Sequence, residues 1–70
     1  MNNDVHNFCE NIKRIRSTNK LSKKEMAKYC GISINSLNKI EQGILPPKLS
    51  YKMVFYIHKN FGIKPKDLFK

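Results

Sequence analysis

The strongest constraint on this chain is the helix punctuation between residues 22 and 33. Ser22 and Glu25 have the S-x-x-E spacing of a capping box, in which each side chain satisfies a backbone N–H at the start of a helix. Leu21 before the cap and Met26 at the fourth helical position are placed to form a hydrophobic staple. Gly31 stops that helix where a left-handed backbone costs least. After one intervening residue, Ser33 prefers the N-cap position and opens another helix. Two short helices must therefore follow each other across a tight turn.

The rest of the chain is consistent with more helices of the same kind. Phe8, Ile12 and Ile15 recur at helical spacing, with Lys13 and Arg14 between them and Arg16 just beyond, so a first helix runs up to the Ser17 to Lys20 stretch that ends it. Either Asp4 or Asn7 can cap it. In the second helix Met26, Ala27 and Cys30 point inward. In the third, Leu37 and Ile40 do so, while Asn35, Asn38, Lys39 and Gln42 occupy the opposite face at about 100° per residue. Gly43 closes the third helix, and Pro46 and Pro47 force an extended connection from Ile44 to Leu49. Ser50 suits the cap of a fourth helix with Val54, Ile57 and Phe61 inward, and Pro65 suits the first turn of a short fifth ending at Leu68 and Phe69. No segment alternates long enough to form a strand. The expectation is an all-α chain of five helices, one domain over residues 1–70, without repeats or linkers.

Charge narrows the partner. Fourteen Lys and Arg stand against five Asp and Glu, a formal charge of +9, and an excess of this size favours a polyanionic partner. A phosphate backbone and an anionic membrane surface both qualify. Membrane-surface binding needs one long helix with a strong apolar face, and the Gly and Pro punctuation argues against it. Residues 1–5 lack the pattern of a secretion signal, and no apolar run approaches the roughly 20 residues needed to span a bilayer. A cytoplasmic location is expected.

Two helices across a glycine-containing turn make a helix-turn-helix unit, here about residues 22–42, in which the second helix enters the major groove. Ala27 supplies the small residue needed where the helices cross, and Lys23, Lys24, Lys28 and Lys39 supply charge. The sequence resembles the Cro and phage-repressor (XRE-like) family of helix-turn-helix domains from about Phe8 to Phe69. The likeness is carried by Ile12, Ile15 and Arg16, by Leu21, Ser22, Glu25, Met26, Ala27, Gly31, Ile32 and Ser33, by Ile40, Glu41 and Gly43, and by Phe61, Gly62, Ile63, Leu68 and Phe69. Individually these are weak signals, and their joint spacing is specific.

The resemblance implies a compact lambda-repressor-like DNA-binding fold with helices 2 and 3 as the helix-turn-helix. It implies that Arg16 pairs with Glu41 as a structural clamp between the first and third helices, and that the base readers are Ile34, Asn35, Asn38 and Lys39. The chain departs from the family pattern in three places. Lys23 stands where a glutamine is usual, the connection from Ile44 to Leu49 is longer, and His58 replaces a small residue.

The chemistry of these residues fits such a role. Asparagine presents an acceptor and a donor that match adenine N6 and N7, lysine donates to guanine O6 or N7, and Ile34 can touch a thymine methyl. Arg16, Lys23, Ser36 and Lys48 are assigned to phosphate positioning, with Lys23 acting as a point charge. The expected partner is double-stranded DNA, bound by a homodimer on a palindromic site with half-sites about 34 Å apart. Transcriptional repression is the expected outcome. The alternative is a protein-interaction module of the same fold, such as an antitoxin or adaptor. Tyr51, Phe55, Tyr56 and Phe69 motivate it, as aromatic surface beyond what the fourth helix needs inward.

No enzyme is expected, because no nucleophile, base and orienting group can be assembled from the spacing. His6 and Cys9 share a helical face and invite a metal reading with Cys30 and His58. No second pair has close ligand spacing, so the cysteines are read as small apolar groups, with no metal, cofactor or small-molecule ligand.

Overall fold

The computed structural model describes residues 4–45 and 51–70. It contains α1 (Asp4–Thr18), α2 (Lys23–Cys30), α3 (Ile34–Glu41), α4 (Tyr51–Phe61) and α5 (Pro65–Leu68), with no strand among the described residues. α1 already includes Asp4, at the edge of the described residues, and Asn7 lies a turn inside it, so the later start at Asn7 is not used. The cap proposed at Ser50 and the prolines of the connection lie outside the described residues.

The capping box at Ser22 forms as the sequence implies. Ser22 Oγ accepts from the Glu25 N–H at 3.1 Å, and Glu25 Oε1 accepts from the Ser22 N–H at 2.9 Å. The bond from the Ser22 backbone N–H is the main reason that the Glu25 carboxyl is held below its ordinary pKa. Ser33 caps α3 by accepting from the Ser36 N–H at 3.1 Å.

Three helices end in the same hydrogen-bonded reversal, in which the second residue past the cap bonds back across the last turn. The closing bonds are Leu21 N–H to Arg16 O, Ile32 N–H to Ala27 O and Ile44 N–H to Lys39 O. Each reversal needs one left-handed residue. Gly31 and Gly43 fill it after α2 and α3, but Lys20, at φ 55°, fills it after α1. A non-glycine residue there costs about 1–2 kcal/mol.

The core draws on every helix: Phe8, Cys9, Ile12 and Ile15 from α1, Met26, Ala27 and Cys30 from α2, Leu37 and Ile40 from α3, Met53 and Ile57 from α4, and Leu68 from α5. Leu21 is partly buried against this cluster, of which Met26 is a member. In α4 the inward stripe is shifted relative to the sequence expectation. Met53 and Ile57 are buried, whereas Val54 and Phe61 only flank the core.

The carboxy-terminal segment is tied to α1. Phe69 stacks on Phe8 with ring centroids 5.2 Å apart. Asn11, buried in the apolar stripe of α1, donates to Leu68 O at 2.7 Å and Asp67 O at 3.3 Å, and Asn7 donates to Phe69 O at 3.4 Å. Phe69 is therefore a packing residue and not part of an open aromatic surface. Both cysteines are free and buried, and burial pushes the Cys30 thiol up to about 12.

Candidate nucleic-acid interface

The orientation of α3 is set by two contacts. On one side α3 packs on α2 and α1, through Leu37 and Ile40. On the other, Arg16 reaches from the last turn of α1 to Glu41 at the end of α3. Nε donates to Oε2 at 2.6 Å and Nη2 to Oε1 at 3.0 Å, a bidentate fork that fixes direction as well as distance. The remaining arm, Nη1, donates to Leu21 O at 3.2 Å. One guanidinium thus joins α1, the turn before α2 and the end of α3. The Glu41 side chain is only 8% exposed.

The turn between α2 and α3 is braced from behind by α4. Tyr56 lies so close to Gly31 that a Cβ there would approach its Cδ2 to 2.7 Å. Tyr29, late in α2, meets Phe61 edge-on at 5.8 Å, and Asn60 donates to Tyr29 O at 2.9 Å. The spacing of Gly31 marked it as a helix stop, but nothing local indicated the ring that covers it. Tyr56, counted in sequence among surplus aromatics, therefore has a supporting role.

The outward side of α3 carries Ile34, 43% exposed, with Asn35 and Lys39 also exposed. Lys23, at the first position of α2, is exposed, as are Lys24 and Lys28. Ser36 is half-buried, and its hydroxyl accepts from Ser33 Oγ at 3.1 Å, which leaves its own proton free to donate. Asn38 is also half-buried, with its Oδ1 shielded and unpartnered. Arg16 is brought onto Glu41 as described, and its guanidinium remains partly exposed. Lys48 lies outside the described residues.

The arrangement is a rigidly held helix with apolar, amide and ammonium groups on its free side and lysines on the helix before it. Such a set can form hydrogen bonds to flat polar edges and attract phosphates. Among the described residues no helix is long and apolar enough to cross a membrane.

Comparison with known proteins agrees with this geometry. A family model described as a helix-turn-helix domain matches residues 9–70. An uncharacterized HTH-type transcriptional regulator from Methanocaldococcus jannaschii is 36% identical over 58 residues, which cover 83% of this chain and 85% of that protein. No solved structure matches the chain significantly.

Proposed function

The chain belongs to the helix-turn-helix domain family, and from that premise we propose that it is a sequence-specific DNA-binding transcriptional regulator that reads an operator with α3. The observation that carries this is the Arg16–Glu41 fork. It holds α3 by its end while Ile34, Asn35 and Lys39 stay exposed on the free side. Asn35, Asn38 and Lys39 read base edges, and Ile34 contacts a thymine methyl. Arg16, Lys23, Ser36 and Lys48 position the phosphates, and the charge of +9 adds affinity that does not depend on sequence. Repression is the mode that asks least of such a domain, since occupancy of the operator suffices.

Selection of bound sequences from random duplexes tests the proposal. An enriched motif is expected, and binding that persists with no motif would overturn reading by α3. Asn35→Ala should relax preference at particular bases, whereas Lys23→Ala should weaken binding to all sequences and reduce the salt slope by about one. The reverse pattern would sink this division of roles.

The partner arrangement we favour is a homodimer on a palindromic site, supported by the exposure of Tyr51 at 83% and Phe55 at 58% on α4. The same rings support a second reading, in which the domain holds a different protein, as an antitoxin or adaptor does. The mass of the complex on operator DNA separates the two, because only the dimer places two copies of this chain on one site.

A further inference from the structure

α3 contains one atom whose surroundings do not suit its chemistry. Asn38 lies about 100° round the helix from Leu37, toward the outward side. Its Oδ1 is nevertheless shielded from solvent and accepts no hydrogen bond. The polar groups nearby in sequence are engaged elsewhere. Ser33 and Ser36 bond each other, and Glu41 takes the guanidinium of Arg16. An amide oxygen in this position has lost its bonds to water and gained none in return, so it weakens the free fold. A leucine of nearly the same shape would fill the site without that cost.

We propose that Asn38 is a specificity-determining residue withheld in the free protein, its amide turning outward on DNA binding to pair with an adenine edge. In the outward rotamer Oδ1 accepts from adenine N6 and Nδ2 donates to N7. The proposal rests on α3 being the reading helix. DNA shifts the rotamer equilibrium because only the outward state has a partner for the oxygen. A base pair lacking the matching donor and acceptor offers nothing in exchange, so the amide stays in its shielded position and the contact is lost. Asn35 differs, since it is exposed already and meets its base without rearrangement. The two asparagines therefore make one preset contact and one conditional contact.

The test compares Asn38→Leu with Asn35→Leu in the full chain, by thermal unfolding without DNA and by selection from random duplexes. Asn35→Leu makes the same change of side chain at an exposed position in the first turn of α3, and so serves as the control for replacing an amide by an apolar group. The expected result is a Tm for Asn38→Leu about 4–8 °C above that of Asn35→Leu. Asn38→Leu should also lower discrimination for adenine at one position of each half-site by about tenfold or more. Equal Tm values would show that the oxygen is not a burden on the free fold, and a preserved adenine preference would show that the amide does not read it. Either outcome overturns the proposal. If the unaltered chain enriches no motif, DNA reading by α3 itself fails and the proposal fails with it, an outcome distinct from a motif that survives in the variant.

Discussion

Arg16→Met removes the guanidinium from Glu41 while keeping most of the apolar stem, and so isolates the clamp from packing. The native side chain makes bonds of 2.6 and 3.0 Å to the carboxylate and one of 3.2 Å to Leu21 O. With Glu41 8% exposed and Arg16 25% exposed, water can replace the lost donors only in part. At an effective dielectric of about 20, unit charges about 4 Å apart attract by about 4 kcal/mol, and desolvation of both groups offsets some of this. Removing one partner of a fully buried pair costs about 3–5 kcal/mol, and partial exposure of the arginine lowers the expectation to about 2–3 kcal/mol. At about 4–8 °C per kcal/mol for a domain of this size, Tm should fall by roughly 10–20 °C.

Urea unfolding followed by far-ultraviolet circular dichroism measures this cost at about 0.1 M and about 0.5 M salt. Most of the loss should survive the higher salt, because the carboxylate is shielded. The exposed Lys13–Glu10 pair, at 4.0 Å, is the contrasting case in which salt should erase any contribution. A cost for Arg16→Met below about 1 kcal/mol, or one that vanishes at the higher salt, refutes the clamp. In a Glu41→Leu background the same substitution should cost less than half as much, since the carboxylate it strands is gone.

Two further perturbations test the brace and the core. Gly31→Ala should cost about 2–3 kcal/mol, because it adds a clash with Tyr56 to the left-handed strain, while Gly43→Ala, with nothing within 4 Å of its Cβ, should cost only about 1 kcal/mol. Equal losses in thermal unfolding would show that Tyr56 does not brace the turn. Cys30, its thiol pushed up to about 12 by burial, stays neutral in the folded chain at pH values where the unfolded chain ionises at about 8.5. The unfolded state then binds fewer protons, so stability is complete below that pH and declines as pH rises toward the folded value. Tm should fall more steeply above about pH 8.5 in the unaltered protein than in Cys30→Ala, and parallel curves would contradict this.

The boundaries of α2 and α3 and the start of α5 were legible because caps and stops act within one turn of chain. Ser22, Glu25, Gly31, Ser33 and Pro65 all serve as their local chemistry implies. Lys20 was not legible as a left-handed residue, since propensity assigns that geometry to glycine or asparagine. Of the candidate site, Asn35 and Lys39 were legible from helical phase, as they fall opposite Leu37 and Ile40. Helical phase also placed Asn38 on the open side, but could not show that its oxygen is shielded. The Arg16–Glu41 fork was legible only through resemblance, because no local pattern links side chains 25 residues apart.

The sequence by itself determined where α2 and α3 start and stop, which residues face inward on α1, α2 and α3, and the excess of positive charge. These properties follow from hydrogen bonds and side-chain periodicity within a few residues. Only the tertiary structure decided that Asn11 meets carbonyls near the far end of the chain, that Phe69 lies on Phe8, that Tyr56 covers Gly31, and that Met53 replaces Val54 in the core. Each of these depends on which helix faces meet, and that is settled by packing all five helices at once. The helix-turn-helix punctuation can thus be read along the chain, whereas the angle at which α3 is presented is a property of the assembled core and of one arginine reaching across it.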